Sequence, residues 1–141
     1  MAPTNIYAAV SDVQALVTTA SGSGLTISAS SNPTTTLVEG FLDQTAAEID
    51  SLLRGKGYGT IPASGTNDKL LLRRYTTLGA AVITWRAAFG GHDDTGRVKA
   101  WADEYKAFLE RLSKNDQRLI DQAPLGKVGV VLMSRYTGED E

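Results

Sequence analysis

Residues 47–62 read AEIDSLLRGKGYGTIP, an apolar-periodic run that passes into three glycines spaced two apart and ends at a proline. Such glycines either cradle a phosphate or stop a helix. A Walker-type loop needs a strand before it and a helix directly after its Lys-Ser/Thr pair, because amides converging at that helix start are what hold the anion. Here a helical pattern precedes and Pro62 follows. The stretch therefore predicts a helix C-terminus, with Gly55 or Gly57 in a left-handed cap, Tyr58 and Ile61 packing back, and Pro62 barring further helix.

On the N-terminal side, Val38, Leu42, Ala46, Ile49 and Leu53 step by four, four, three and four, so one buried stripe runs along a helix from Thr34 to about Arg54. Pro33 suits its first turn, Glu39 its positive end and Arg54 its negative end. Glu48 and Asp50 are neighbours that diverge around the helix, which predicts solvated positions. Before it, residues 11–20 place Val13, Leu16 and Val17 at helical spacing, with Ser11 or Asp12 as caps. Between the two helices SGSGLTISASSNP is rich in Ser and Gly, with a β-prone centre at Leu25, Thr26 and Ile27. That insertion predicts a surface loop or short strand, with those three residues as a contact toward a neighbouring subunit or a tail.

On the C-terminal side, Leu71, Tyr75, Leu78, Val82, Trp85 and Phe89 mark a third helix, with Asn67 or Asp68 as its cap and Gly90-Gly91 as its end. Gly79 with Ala80, Ala81, Ala87 and Ala88 offers a narrow surface for close helix approach, so this helix is expected at the centre. From about Thr95 to Ser113, Val98, Trp101 or Ala102, Tyr105, Phe108 or Leu109, and Leu112 share one face, opposite Lys99, Asp103, Glu104, Lys106, Glu110 and Arg111. Trp85 and Trp101 lie on the stripes and read as core or interface anchors.

The predicted fold is mostly α, a bundle of about four helices over residues 1–116 followed by an extended, β-prone tail over 117–141. The tail carries Leu125, Val128, Val130, Val131, Leu132, Met133, Arg135 and Tyr136. A strand of that length needs a partner for its amides. It pairs with the LTIS segment of its own chain, stays disordered when free, or adds to a sheet in another subunit, the last being the preferred functional reading.

Composition bounds the function. A chain of 141 residues suits one domain, and 42% apolar with 21% charged residues is ordinary for a globular protein. No apolar run approaches the roughly 20 residues that span a bilayer, and MAPTNIYAAV has neither the basic nor the apolar region of a signal peptide. Without cysteine there is no disulfide framework, thiolate metal site or cysteine nucleophile. A net charge of −2 lacks the footprint of a nucleic-acid binder, leaving passive contact with DNA. His92 beside Asp93 and Asp94 under-coordinates a metal and reads as a turn with a helix cap. No serine stands in a nucleophile elbow, and one histidine has no recognisable orienting partner. Neither enzyme chemistry nor a cofactor is expected.

The order of these elements resembles the small helical head-tail connector proteins of tailed bacteriophages, the head completion or adaptor proteins. The resemblance rests on YAAVSDVQALV, on AEIDSLLRGKGYGTIP with its Ile-Asp, Gly-Tyr and Pro, and on LLLRRYTTLGAAVITWRAAFG, and covers residues 7 to about 113. Gly59-Thr60 and the serine-rich 21–32 loop depart from the family's compact version. The resemblance implies a homo-oligomeric ring, commonly a dodecamer, in the virion neck. It would be assembled in the host cytoplasm, stacked beneath the portal protein and bound below to a stopper or tail-completion protein, with DNA passing through and no membrane partner. It also implies that the C-terminal segment, Leu125 to Tyr136, docks on the portal. The alternative is a free-standing helical interaction module, such as another tail, neck or regulatory protein.

Overall fold

The computed structural model describes residues 5–21, 25–89, 96–114 and 116–122. Its elements are four helices: α1 (Val10–Ser21), α2 (Thr35–Gly55), α3 (Thr66–Phe89) and α4 (Gly96–Ser113), and no strand occurs among the described residues. The fold is the mostly helical bundle that the periodicity predicts. No helix among the described residues is long and apolar enough to cross a membrane.

Each α2 stripe position, Val38, Leu42, Ala46, Ile49 and Leu53, is buried. The helix starts at the Thr34 cap, whose Oγ1 accepts the Leu37 N–H at 3.2 Å; Pro33 therefore precedes the cap rather than occupying the first turn. Its end is a Schellman motif: the Gly57 N–H donates to Arg54 C=O at 3.0 Å and the Tyr58 N–H to Leu53 C=O at 3.3 Å, with Gly57 at φ 92°. Of the two glycines proposed for the left-handed position, Gly57 takes it, because it follows the last helical residues by the interval the motif needs. Tyr58 is buried and Ile61 packs against the core, as expected.

α1 begins one residue earlier than its expected caps. The Asp12 carboxylate reaches back to accept the Ala9 N–H at 2.8 Å while the Asp12 N–H donates to Ala9 C=O, so Asp12 sits inside the first turn as the acidic half of a capping box. Burial pushes the Asp12 carboxyl up, but the hydrogen bonds from Arg73 and Ala9 and the Arg73 charge outweigh it and hold it below the ordinary carboxylate value.

α3 is the central helix, packed against α1, α2 and α4. Pairings Trp85 with Trp101, Gly79 beside Tyr105 and Tyr75 with Phe108 run in opposite order along the two chains, so α3 and α4 are antiparallel. Tyr105 to Glu48 and Lys56 to Ser113 share one offset of 57 residues, so α2 and α4 run parallel. At the waist a Cβ on Gly79 would lie 2.5 Å from Thr45 Cγ2 and 3.1 Å from the Tyr105 ring, which is the close approach the small residues foretold. Ala80 and Ala81 share that burial, whereas Ala87 faces outward. Below the waist Tyr75 stacks on Phe108 at 3.8 Å, and above it Trp85 meets Trp101 edge-on at 6.4 Å. Both tryptophans are buried anchors.

Candidate functional site

The end of the bundle where α2 closes and α3 opens is held by polar groups that the apolar stripes do not announce. α3 has Gly65 before its first turn, and Gly65 C=O accepts the Lys69 N–H at 2.9 Å. Neither Asn67 nor Asp68 caps it. The acceptor comes from the far end of the chain: Asp121 Oδ2 takes the Asp68 N–H at 2.9 Å, and Oδ1 takes the Asn67 side-chain amide at 3.3 Å. In return Asp68 Oδ1 accepts the backbone N–H groups of Ile120 at 2.5 Å and Asp121 at 3.0 Å. Asp68 is fully buried, and its Oδ2 has no hydrogen-bond partner among the described residues. Two aspartates thus exchange backbone amides across a separation of about fifty residues, each satisfying donors that would otherwise be orphaned.

The neighbouring contacts extend this latch. Tyr58 Oη accepts the Leu119 N–H at 3.1 Å, and Leu119 itself is buried. The Gln122 side-chain amide pairs with both backbone groups of Thr60, accepting at 3.2 Å and donating at 2.8 Å. A Cβ on Gly65 would fall 2.2 Å from Asp121 Oδ2, so the glycine makes room for the incoming carboxylate. Residues 119–122, within what the sequence places at the start of the tail, therefore lie against the α2–α3 loop and the first turn of α3, while the Gln117 N–H still donates to Arg111 C=O on α4.

A second buried carboxylate braces the same loop. Tyr7, buried, donates its phenol proton to Asp50 Oδ1 at 2.6 Å and accepts the Ala63 N–H at 2.9 Å. Asp50 is only 2% exposed, which overturns its expected solvated position. It follows Ala46 by four residues, so it falls on the stripe, and Tyr7 supplies the partner that makes burial tolerable. Burial pushes the Asp50 carboxyl above its ordinary value, against the Tyr7 hydrogen bond and the Arg54 charge. Burial and the bond to Asp50 likewise push the Tyr7 phenol up. Glu48 remains exposed, and accepts the Tyr105 hydroxyl at 2.5 Å.

Of the anticipated contact residues, Leu25 and Ile27 are half-buried against the core and Thr26 is exposed. They form no strand. The Gln14 amide accepts the Ile27 N–H and donates to Leu25 C=O, at 2.5 and 2.6 Å, occupying the edge a pairing strand would use. The tail residues Leu125, Val128, Val130, Val131, Leu132, Met133, Arg135 and Tyr136 lie outside the described residues, as do His92, Asp93, Asp94 and Gly90-Gly91. Among the described residues no group of three His, Cys, Asp or Glu side chains is placed to hold a metal. The Asp68–Asp121 pair is engaged by backbone amides, an arrangement that positions a chain segment rather than one that moves protons.

No protein family, curated protein or solved structure matches this chain.

Proposed function

We propose that the chain is a structural virion protein, a head-to-tail adaptor whose copies form a ring beneath the portal and link the capsid to the stopper or tail. The observation that carries the reading is the latch. By seating Ile120 and Asp121 on the first turn of α3, and Leu119 on Tyr58, it anchors the start of an apolar, β-prone segment at one end of a four-helix body. An arm that must find a partner gains from a defined origin, because less freedom is lost on docking. The mild net charge of −2 suits a conduit that lets DNA slide rather than gripping it. In this mechanism bodies pack side by side, and Val128 to Met133 add to a sheet of the portal or of a neighbouring subunit. Burial of those side chains drives the step at about 25 cal/mol per Å² before ordering costs.

Electron micrographs of the protein alone and mixed with portal test the reading. Rings, alone or on the portal, are the expected result, and deletion of residues 124–141 should abolish portal attachment while the helical circular-dichroism signal persists. Attachment that survives the deletion removes the role of the tail. Small single particles under both conditions favour a free-standing interaction module.

A further inference from the structure

α2 carries a second stripe, on the side away from the core. Leu37, Gly40, Gln44, Ala47 and Ser51 step by three, four, three and four, and all of them are exposed. Leu37, a large apolar side chain, is 51% exposed there. Gly40 stands inside the helix, where glycine is a weak former, and a Cβ at that position would meet nothing within 4 Å. Packing within the chain therefore does not ask for a glycine at this point. From Thr35 to Leu53 every charged residue is acidic; Asp50 is buried, while Glu39, Asp43 and Glu48 reach the surface.

The other side of the bundle is the counterpart of this face. An open groove of about 460 Å³ runs between α1 and α3, with Leu16, Leu70 and Leu78 in its lining. Leu70 is 59% exposed there. Over the first three turns of α3 the exposed charges, Lys69, Arg73 and Arg74, are all basic. Asp12 pairs with Arg73 and Glu104 with Arg74, which leaves the groove side with an excess of positive charge. Leu70 and Gly79 are about two and a half turns apart on α3, hence on opposite sides of it, and Gly79 faces Thr45 of α2. The acidic stripe and the basic groove thus point away from each other, and within one chain they cannot meet.

We propose that the groove receives the outward stripe of α2 from a second copy of this chain. The small side chains of Gly40, Ala47 and Ser51 let the incoming helix approach closely, and the contact takes the exposed surface of Leu37 and Leu70 out of water. Acidic residues against basic ones fix which face meets which. Because the two faces differ, the contact is head to tail and repeats from copy to copy, closing into a ring or running on as a filament. It supplies the faces for the side-by-side packing of the adaptor reading, and rests on that reading only for closure into a ring; the portal has no part in it.

Sedimentation of the full chain over a range of concentrations tests the proposal. The wild type should form species larger than dimers as concentration rises. Leu70→Glu places an acid in the groove, and Gly40→Gln places bulk on the stripe; both positions are exposed, so the helical circular-dichroism signal should persist. Each variant alone should self-associate at least about thirtyfold more weakly than the wild type. A one-to-one mixture of the two variants should give dimers and nothing larger, because the intact stripe of the Leu70→Glu chain fits the intact groove of the Gly40→Gln chain while the remaining faces are both spoiled. Wild-type chains that stay single at every concentration overturn the proposal, as does a mixture that stays single. Rings that persist in both variants remove this contact and leave the ring standing. Open filaments of the wild type, with dimers from the mixture, keep the contact and remove the ring.

Discussion

The waist of the bundle and the latch at its end are built on different physics. At the waist Gly79, Thr45 and Tyr105 meet by volume: the surfaces fit because a glycine is missing a carbon. Close packing tolerates little change in size there, but it names no particular partner. At the latch the contacts are directed. Asp68, Asp121, Tyr58 and Gln122 each hold a specific backbone group, and the segment they hold buries one large apolar side chain, Leu119. Volume supplies most of the stability, and hydrogen bonds supply position. A segment held chiefly by hydrogen bonds can open without unfolding the body.

That contrast breaks or sharpens under substitution. The largest effect is expected in the core below the waist, where Phe108→Ala removes a fully buried ring stacked on Tyr75 and should cost about 3–5 kcal/mol in denaturant unfolding. A loss under about 1 kcal/mol would show that packing does not govern that region. Next, Gly79→Ala should cost about 1–3 kcal/mol through overpacking, and Thr45→Ser, which removes the methyl group 2.5 Å from the new carbon, should recover part of it. Strict additivity of the two changes would contradict the volume argument.

At the latch the effect should be local. Asp68→Ala orphans two amides, and hydrogen exchange at Ile120 and Asp121 should quicken by about ten- to a hundredfold, matching 1–3 kcal/mol, while amides of mid-α3 keep their protection. Uniform acceleration across the chain would mean that the latch and the waist open as one unit. Gly65→Ala should displace Asp121, whose Cβ, Cγ and Oδ2 all lie within 2.6 Å of the new carbon, yet add little once Asp121→Gly is present, because that change removes all three atoms.

The smallest effect is on the alkaline side. Tyr7 and Tyr105 both have phenols pushed up by burial and by a carboxylate neighbour, Asp50 and Glu48 respectively. Folding favours their neutral form, so that contribution is intact below about pH 10, the unfolded tyrosine value, and is lost as pH rises through the higher folded values. Stability should fall as pH climbs past that point, and Tyr105→Phe should flatten the fall. An unchanged slope would place the alkaline sensitivity elsewhere.

The helices were legible because burial on one face imprints a period that survives without knowledge of the neighbours. α2 shows this most clearly, every stripe residue being buried where the steps of four and three put it. α3 was legible as a helix and as central, but its inner face was not fully readable: Leu72 is buried while Leu71 is half-exposed, and Thr76 and Thr84 are buried with the apolar residues. A helix packed on three sides lacks the clean polar face that periodicity detects. Asp50 left a trace, standing at stripe spacing, yet an aspartate there reads as solvated until Tyr7 is seen beside it. The latch left almost none, because caps are sought among adjacent residues and the cap of α3 comes from Asp121.

By itself the sequence determined the helices, the buried stripe of α2, a glycine stop at Gly55 or Gly57 and the narrow waist, since each follows from local sterics or from a repeat along one element. Only the tertiary structure decided which carboxylates are buried, what caps α3 and where the C-terminal segment takes hold. Those depend on donors and acceptors brought together from positions about fifty residues apart, and hydrogen bonds between distant residues leave no period along a chain.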